Sequence, residues 1–285
     1  MSINDLLTRA AEAVARADAL LVTAGAGMGV DSGLPDFRGD EGFWKAYPPF
    51  KKLGLSFIDL ANPEWFSRDP ELAWGFYGHL LTLYRATTPH EGFAVLRRWC
   101  SGASRGGSVF TSNVDGAFQR AGFDAERIAE CHGAIDFMQC TRECGLGIVP
   151  ADGVEVRVDE ATFRASPPLP VCPKCGALQR PNILMFGDDR WDATRSQAQE
   201  QRLTEWLNAR GDAKLCVIEC GAGTAIPTVR MLGERLLRRG HALVRINVRE
   251  PQVPEGGIAL ALGAKEALLA IDALPLPRLG RSGSR

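Results

Sequence analysis

At 285 residues, 45% hydrophobic and 24% charged, the chain is composed like an ordinary globular protein, long enough for one large domain or a domain plus a smaller module at roughly 150 residues per domain. Its 33 Lys and Arg against 34 Asp and Glu leave a net charge of -1, which offers no electrostatic footprint for nucleic acid or an anionic membrane. No stretch approaches the roughly 20 apolar residues of a membrane helix, and residues 1–16 carry Asp5, Arg9, Glu12 and Arg16 where a secretory leader would be basic and then apolar, so a cytoplasmic location is expected.

Ser2 and Asp5 form a capping box ahead of Ile3, Leu6, Leu7, Ala10, Val14 and Ala17, which recur at helical spacing. Residues 19–24 then read as a continuous apolar strand that ends at Gly25-Ala26-Gly27, the signature of a strand buried on both faces. Similar runs at 107–111, 128–131, 214–219 and 243–247 alternate with helical segments, so the expected fold is α/β, a Rossmann-like doubly wound parallel sheet. Its core should comprise residues 1–39, 100–135 and 186–275. A helical insertion is expected over 40–99, where Trp44, Phe57, Trp65, Phe66, Trp74, Phe76, Tyr77 and Trp99 cluster as packing residues. A second insertion, 136–185, holds paired cysteines and an alternating Val154, Val156, Val158 strand, and the tail 276–285 reads as disordered.

Eight cysteines in so long a chain are too sparse for a disulfide scaffold. Three residues separate Cys140 from Cys144 and two separate Cys172 from Cys175, and Gly145 and Gly176 follow each pair at once. Two such knuckles suit tetrahedral zinc, and four thiolates leave no open position, so the metal should be structural. Cys100, Cys131, Cys216 and Cys220 lie in apolar surroundings without such partners and read as buried thiols.

Glycines directly after a first buried strand let the backbone approach a pyrophosphate. Alone, the Gly25–Gly29 stretch is a weak signal, because the third glycine of the usual dinucleotide pattern falls at Val30. The extension Gly33-Leu34-Pro35-Asp36-Phe37-Arg38-Gly39 sets a carboxylate, an aromatic face and a guanidinium side by side. This segment closely resembles the first signature of the sirtuins, the NAD-dependent protein deacylases. Ser112-Asn113-Val114-Asp115, Cys131-His132-Gly133, Phe186-Gly187-Asp188, and Gly223-Thr224 with Ile246-Asn247 resemble the later signatures in the right order, over about residues 5 to 272.

The resemblance implies NAD as cofactor, structural zinc, and acylated protein lysines as substrates. By it, Gly25, Ala26 and Gly27 line the phosphates, Asp36, Phe37 and Arg38 surround the nicotinamide and its ribose, and Ser112, Asn113 and Asp115 orient ribose and nicotinamide. His132 is the general base, with Asn113 and Asp115 beside it in the catalytic set. Gly223, Thr224, Asn247 and Ala264 meet the adenosine side, Tyr77 lies behind the acyl pocket, and Phe186 and Gly187 border the groove that takes an extended peptide as an added strand. The implied chemistry transfers the acyl group from lysine to the ribose as nicotinamide leaves, giving O-acyl-ADP-ribose. His79, His90 and His241 have no comparable context and are expected at the surface or in packing.

Three positions depart from the family pattern. Gly29 replaces a serine, Ser112 replaces a glutamine, and Pro89-His90 stands where Pro-Asn is usual. Sirtuins that prefer acidic acyl groups carry Tyr and, three residues later, Arg; here Tyr77 is followed by Leu80, which favours neutral acyl groups because a buried, unpaired carboxylate is costly. The shortened side chains keep two other readings open, an NAD-dependent mono-ADP-ribosyltransferase or NAD glycohydrolase, and a non-catalytic NAD-responsive binding module. Oligomeric state is not encoded legibly.

Overall fold

The computed structural model describes residues 1–35, 43, 45, 47–52 and 54–275. Asp36, Phe37, Arg38, Trp44 and the tail 276–285 lie outside the described residues. Eleven strands are described: β1 (Ala19–Ala24), β2 (Gly107–Thr111), β3 (Ile128–Glu130), β4 (Gly133–Cys140), β5 (Val149–Pro150), β6 (Arg157–Asp159), β7 (Arg164–Ser166), β8 (Gln179–Ile183), β9 (Leu215–Cys220), β10 (Ala242–Ile246) and β11 (Ile258–Leu260).

Six of them form one sheet in the order β11-β10-β9-β1-β2-β3, every neighbouring pair parallel. β1 explains why its sequence is apolar without alternation. Leu20, Val22 and Ala24 point into one core with Ala10, Val14, Phe93, Leu96, Trp99 and Leu268, whereas Ala19 and Leu21 point into the other with Leu203, Trp206, Val229 and Leu236. Helices Ile3–Ala15, Glu91–Gly102 and Ala264–Asp272 therefore cover one face, and Thr194–Asn208 and Thr228–Arg238 the other. The five strands expected from sequence are present in this sheet; β11 is additional, its three residues being too short to carry a periodic signal. The helix Glu91–Gly102 packs into the core of the large sheet through Phe93, Val95, Leu96 and Trp99, so the sequence boundary drawn at residue 99 falls inside a helix of the core layer.

The remaining insertions share one hydrophobic cluster. Phe66, Trp74, Phe76, Tyr77 and Leu80 from the helical segment bury against Ile135, Met138, Phe163, Ala165 and Ile183. Close approach explains two glycines inside the helix Pro70–Ala86: a β-carbon at Gly75 would lie 1.9 Å from the Phe163 carbonyl oxygen, and one at Gly78 would lie 2.6 Å from Val156. The strand expected across Val154, Val156 and Val158 is not formed as such. Only Arg157–Asp159 pairs, with Arg164–Ser166; Val154 and Val156 lie before that ladder and pack against the helical cluster, Val156 over Gly78. A three-stranded antiparallel sheet β5-β4-β8 completes this second lobe.

Candidate active site

β1 lies between β2 and β9, so chain connections leave in opposite directions on its two sides, and a crevice opens at the carboxyl ends of these strands. Two glycine loops meet there. Gly25 N–H donates to the Cys220 carbonyl and Gly27 N–H to the Gly221 carbonyl, each at 3.0 Å. Gly221 has φ +64, and a β-carbon on it would lie 2.3 Å from the carbonyl carbon of Gly27. One added on Gly25 would lie 2.7 Å from the Ala222 α-carbon. Beyond this crossing is a cavity of about 220 Å³, lined by Gly27, Asp31, Asn247, Arg249, Gly263 and Ala264 among others.

The end of β2 adds the polar side chains. Ser112 N–H donates to the Ala24 carbonyl at 3.1 Å, and Asn113 Nδ2 donates to the Gly25 carbonyl at 3.0 Å, so Asn113 is fastened to the glycine loop. Asp115 is buried, and its Oδ1 accepts the Ala117 N–H at 2.8 Å. Burial pushes its carboxyl above the usual range, against the pull of that amide and of Arg120. Its Oδ2 lies 3.6 Å from where a β-carbon on Gly29 would sit, so the smaller residue leaves that oxygen without a hydroxyl neighbour there.

His132 occupies the junction between the two lobes, after β3 of the large sheet and before β4 of the small one. Its carbonyl accepts the Leu184 N–H at 2.9 Å. Gly133 follows at φ +78, where a β-carbon would lie 2.0 Å from the Asn182 carbonyl oxygen, so the turn that presents the imidazole requires glycine. Burial holds the His132 pKa below its ordinary 6.5, partly offset by a hydrogen bond to the Ser112 backbone. Burial pushes the thiol of its neighbour Cys131 up to about 12, which disfavours the thiolate.

On the far side of the cavity, Thr224 N–H donates to Glu250 Oε2 at 3.0 Å, and its hydroxyl also bonds Glu250. Gly223 sits beside the same carboxylate. Asn247 lines the cavity while its side chain ties the surrounding loops, donating to the Ala222 carbonyl at 2.8 Å and accepting from Arg249 and Glu250 amides. Toward the second lobe, Leu184 and Phe186 are exposed beside His132, with Phe186 N–H donating to the Ala61 carbonyl at 2.8 Å. Asp188, just past Gly187, forms a bidentate pair with Arg180 at 2.6 and 2.8 Å. Tyr77 is buried and stacked on Phe66 at 5.6 Å, away from solvent, and Leu80 is buried with it.

Two residues at the crevice escaped the sequence reading. Asp31 Oδ2 accepts the Lys265 N–H at 2.8 Å, capping the helix Ala264–Asp272 from across the cavity. His90, expected at the surface or in packing, is buried, and it reaches the glycine loop itself. Neither contact leaves a local pattern in the sequence.

Cys140, Cys144, Cys172 and Cys175 converge with all four Sγ atoms within 4.8 Å of one another. The pairs Cys140–Cys175 and Cys144–Cys172 are each 3.6 Å apart, close to the ~3.8 Å edge of a tetrahedron with 2.3 Å zinc–sulfur bonds. Burial would raise the Cys172 thiol, but hydrogen bonds from the Cys175 and Lys174 amides bring it to about 7, which favours the thiolate a metal needs.

A model of the Sir2 family matches residues 25–213. The NAD-dependent protein deacylase of Thermococcus kodakarensis is 35% identical over 246 residues, 85% of either chain. That of Aeropyrum pernix is 36% identical over 165 residues, 58% of either chain. A crystal structure of a Sir2 homologue in complex with NAD superposes with a TM-score of 0.70 at 25% identity, covering 93% of this chain and 92% of that one.

Proposed function

The chain belongs to the Sir2 family, and from that premise we propose that it is an NAD-dependent protein-lysine deacylase in which His132 is the general base. The observation that carries the reading is the meeting of three strand ends: the Gly25 loop, Asn113 fastened to it, and His132 just past the end of β3, presented by the Gly133 turn. The residues present fit the dinucleotide, because two glycine loops packed backbone to backbone border the cavity at Gly27 and Gly221.

When bound, NAD supplies a ribose carbon activated by a nicotinamide leaving group. Gly25, Ala26 and Gly27 would hold its phosphates, Gly223, Thr224, Asn247 and Ala264 its adenosine side, and Ser112, Asn113 and Asp115 its nicotinamide ribose. By family resemblance alone, Asp36, Phe37 and Arg38 would belong to the nicotinamide-ribose site, where an apolar ring would limit attack by water. Burial keeps the His132 ring uncharged at neutral pH, so one of its nitrogens would present a lone pair to a ribose hydroxyl. The exposed Leu184 and Phe186 would border the groove that takes the peptide as an added strand, with Gly187 allowing the turn beyond it. The buried Leu80 beside Tyr77 supports a neutral acyl group.

The cysteine quartet would hold structural zinc, which lends the small module its fold and takes no part in acyl transfer. Four thiolates kept for metal also suit a reducing compartment, in accord with a cytoplasmic location; among the described residues no helix is long and apolar enough to cross a membrane.

The test is incubation of the purified protein with NAD and an acetyl-lysine peptide. Nicotinamide release that requires the acylated peptide is the expected result. Release without peptide would favour the transferase or glycohydrolase reading, and no release would favour a binding module.

A further inference from the structure

His90 stands at one of the positions where this sequence leaves the family pattern, and its side chain does two things at once. The Gly92 N–H donates to His90 Nδ1 at 3.0 Å, capping the helix Glu91–Gly102. Nδ1 is therefore unprotonated and the ring proton resides on Nε2, which lies 3.1 Å from the Met28 carbonyl. The backbone N–H of His90 also donates to Ser32 Oγ at 3.0 Å. The ring fits only because residue 92 is glycine: a β-carbon there would lie 2.6 Å from His90 Cε1. Phe93 closes the other side, ring centroids 4.9 Å apart.

Met28 belongs to the short turn Gly27–Val30, and Gly27, Val30 and Asp31 form one wall of the cavity. The opposite wall, Gly263 and Ala264, is joined to it by the hydrogen bond that the Lys265 backbone N–H donates to Asp31 Oδ2. Lys265 Nζ then pairs with Glu91 at 2.7 Å, on the helix that His90 caps. Loop and both helices are thus linked in a closed ring of contacts. Of the charges facing the imidazole, Asp31 and Glu91 favour its protonation and Lys265 opposes it; burial outweighs them and keeps the ring below its ordinary pKa.

An asparagine at this position would end where Nδ1 lies. It would cap the helix as well and fall short of Met28. We infer that His90 is a positioning residue for the cofactor: its Nε2–H bond to the Met28 carbonyl fixes the Gly27–Val30 wall and so raises affinity for NAD, which rests on reading this cavity as part of the NAD site.

The experiment compares wild type, His90→Asn and His90→Ala by calorimetric titration with NAD, by kcat and NAD KM in peptide-dependent nicotinamide release, and by Tm. His90→Asn keeps the cap and should lower Tm less than His90→Ala does, while Kd and KM for NAD rise about three- to tenfold, the worth of one neutral hydrogen bond, with kcat at saturating NAD held within about twofold. His90→Ala should lose the cap too and lower Tm. If asparagine restores NAD affinity as fully as it restores Tm, His90 is a helix cap alone and the inference is overturned. Wild-type protein that binds no NAD would overturn it differently, by removing the reading of the cavity on which it rests.

Discussion

Gly221 and Gly27 meet backbone to backbone, Gly27 N–H donating to the Gly221 carbonyl at 3.0 Å while the Gly221 α-carbon faces the Gly27–Met28 peptide. Two parallel strands that adjoin in the sheet but lie far apart in sequence therefore end in loops that touch, and the crevice exists only while they do. Gly221→Ala places a methyl 2.3 Å from main-chain atoms at a positive φ, strain of about 1–3 kcal/mol that the backbone must relieve by parting the loops. The expected outcome is a lower Tm and a weaker NAD Kd. Gly240→Ala is the control, since its φ of +89 is also positive but nothing lies within 4 Å of an added β-carbon; equal effects of the two substitutions would dismiss the crossing as the cause.

His132→Ala should remove the lone pair without disturbing the turn, which Gly133 and the Leu184 N–H hold independently. Deacylation should fall by about 10²- to 10⁴-fold, the usual span for a lost general base, with Tm and bound zinc unchanged. Undiminished turnover would end its assignment.

The acid limb follows from the same residue. Burial sets the folded pKa of His132 below 6.5, so the ring stays neutral, and kcat/KM stays level, down through that value; below the folded pKa it should drop about tenfold per pH unit. Stability moves the same way. For His132 and His90, both depressed by burial, the unfolded chain binds protons first as pH falls through 6.5, so folding free energy declines between the unfolded and the folded pKa and is unaffected above. A kcat/KM that fell off already above pH 6.5 would contradict the buried, neutral imidazole.

Much of this was legible in the sequence because the signals are local. β1 and β2 are apolar runs closed by Gly25 and by Ser112-Asn113, and their bounds coincide with the runs. The cysteine knuckles carry their own spacing, and folding brings the two together across 28 to 35 residues. What the sequence hid depends on distant partners. His90 reaches Met28 over 62 residues and Asp31 reaches Lys265 over 234, and neither contact imposes a period or a spacing. Val154 and Val156 misled for the opposite reason: alternation of valines signals a strand, yet these two pack side-on against the cluster around the helix Pro70–Ala86, with Val156 over Gly78, and among the described residues no partner strand lies beside them.

Arg180 and Asp188 form a buried bidentate pair, 3% and 0% exposed, that anchors the segment 184–187 behind His132. Asp188→Asn leaves the guanidinium without its countercharge, which costs about 3–5 kcal/mol for a buried pair broken on one side. A marked fall in Tm and a raised KM for acylated peptide, with NAD affinity spared, are expected. Replacing both residues by apolar side chains of similar size should restore most of the Tm but leave the peptide KM raised, if the pair matters for placing the segment rather than for stability alone. Recovery of both would reduce the pair to a structural tie.

The cysteine quartet yields the sharpest separation between fold and chemistry. Cys140 closes β4, and Cys172 and Cys175 precede β8, its antiparallel partner, so the metal would clamp the outer end of the very sheet whose inner end begins at Gly133, beside His132. Cys172→Ser removes one thiolate and should abolish stoichiometric zinc, measured by elemental analysis. The small hydrophobic cluster of Cys140, Cys172 and Ala177 is too slight to hold the knuckles without metal. Proteolysis should then open the chain within 136–185 while the parallel sheet, whose cores lie elsewhere, still unfolds cooperatively. Deacylation should fall because β4 no longer holds Gly133 in place, not because a reacting atom is missing, so NAD binding to the Gly25 and Gly221 loops should survive. Unchanged zinc content in the variant would refute the assignment of these ligands, and loss of NAD binding in step with zinc would show that the two lobes do not behave as separable units.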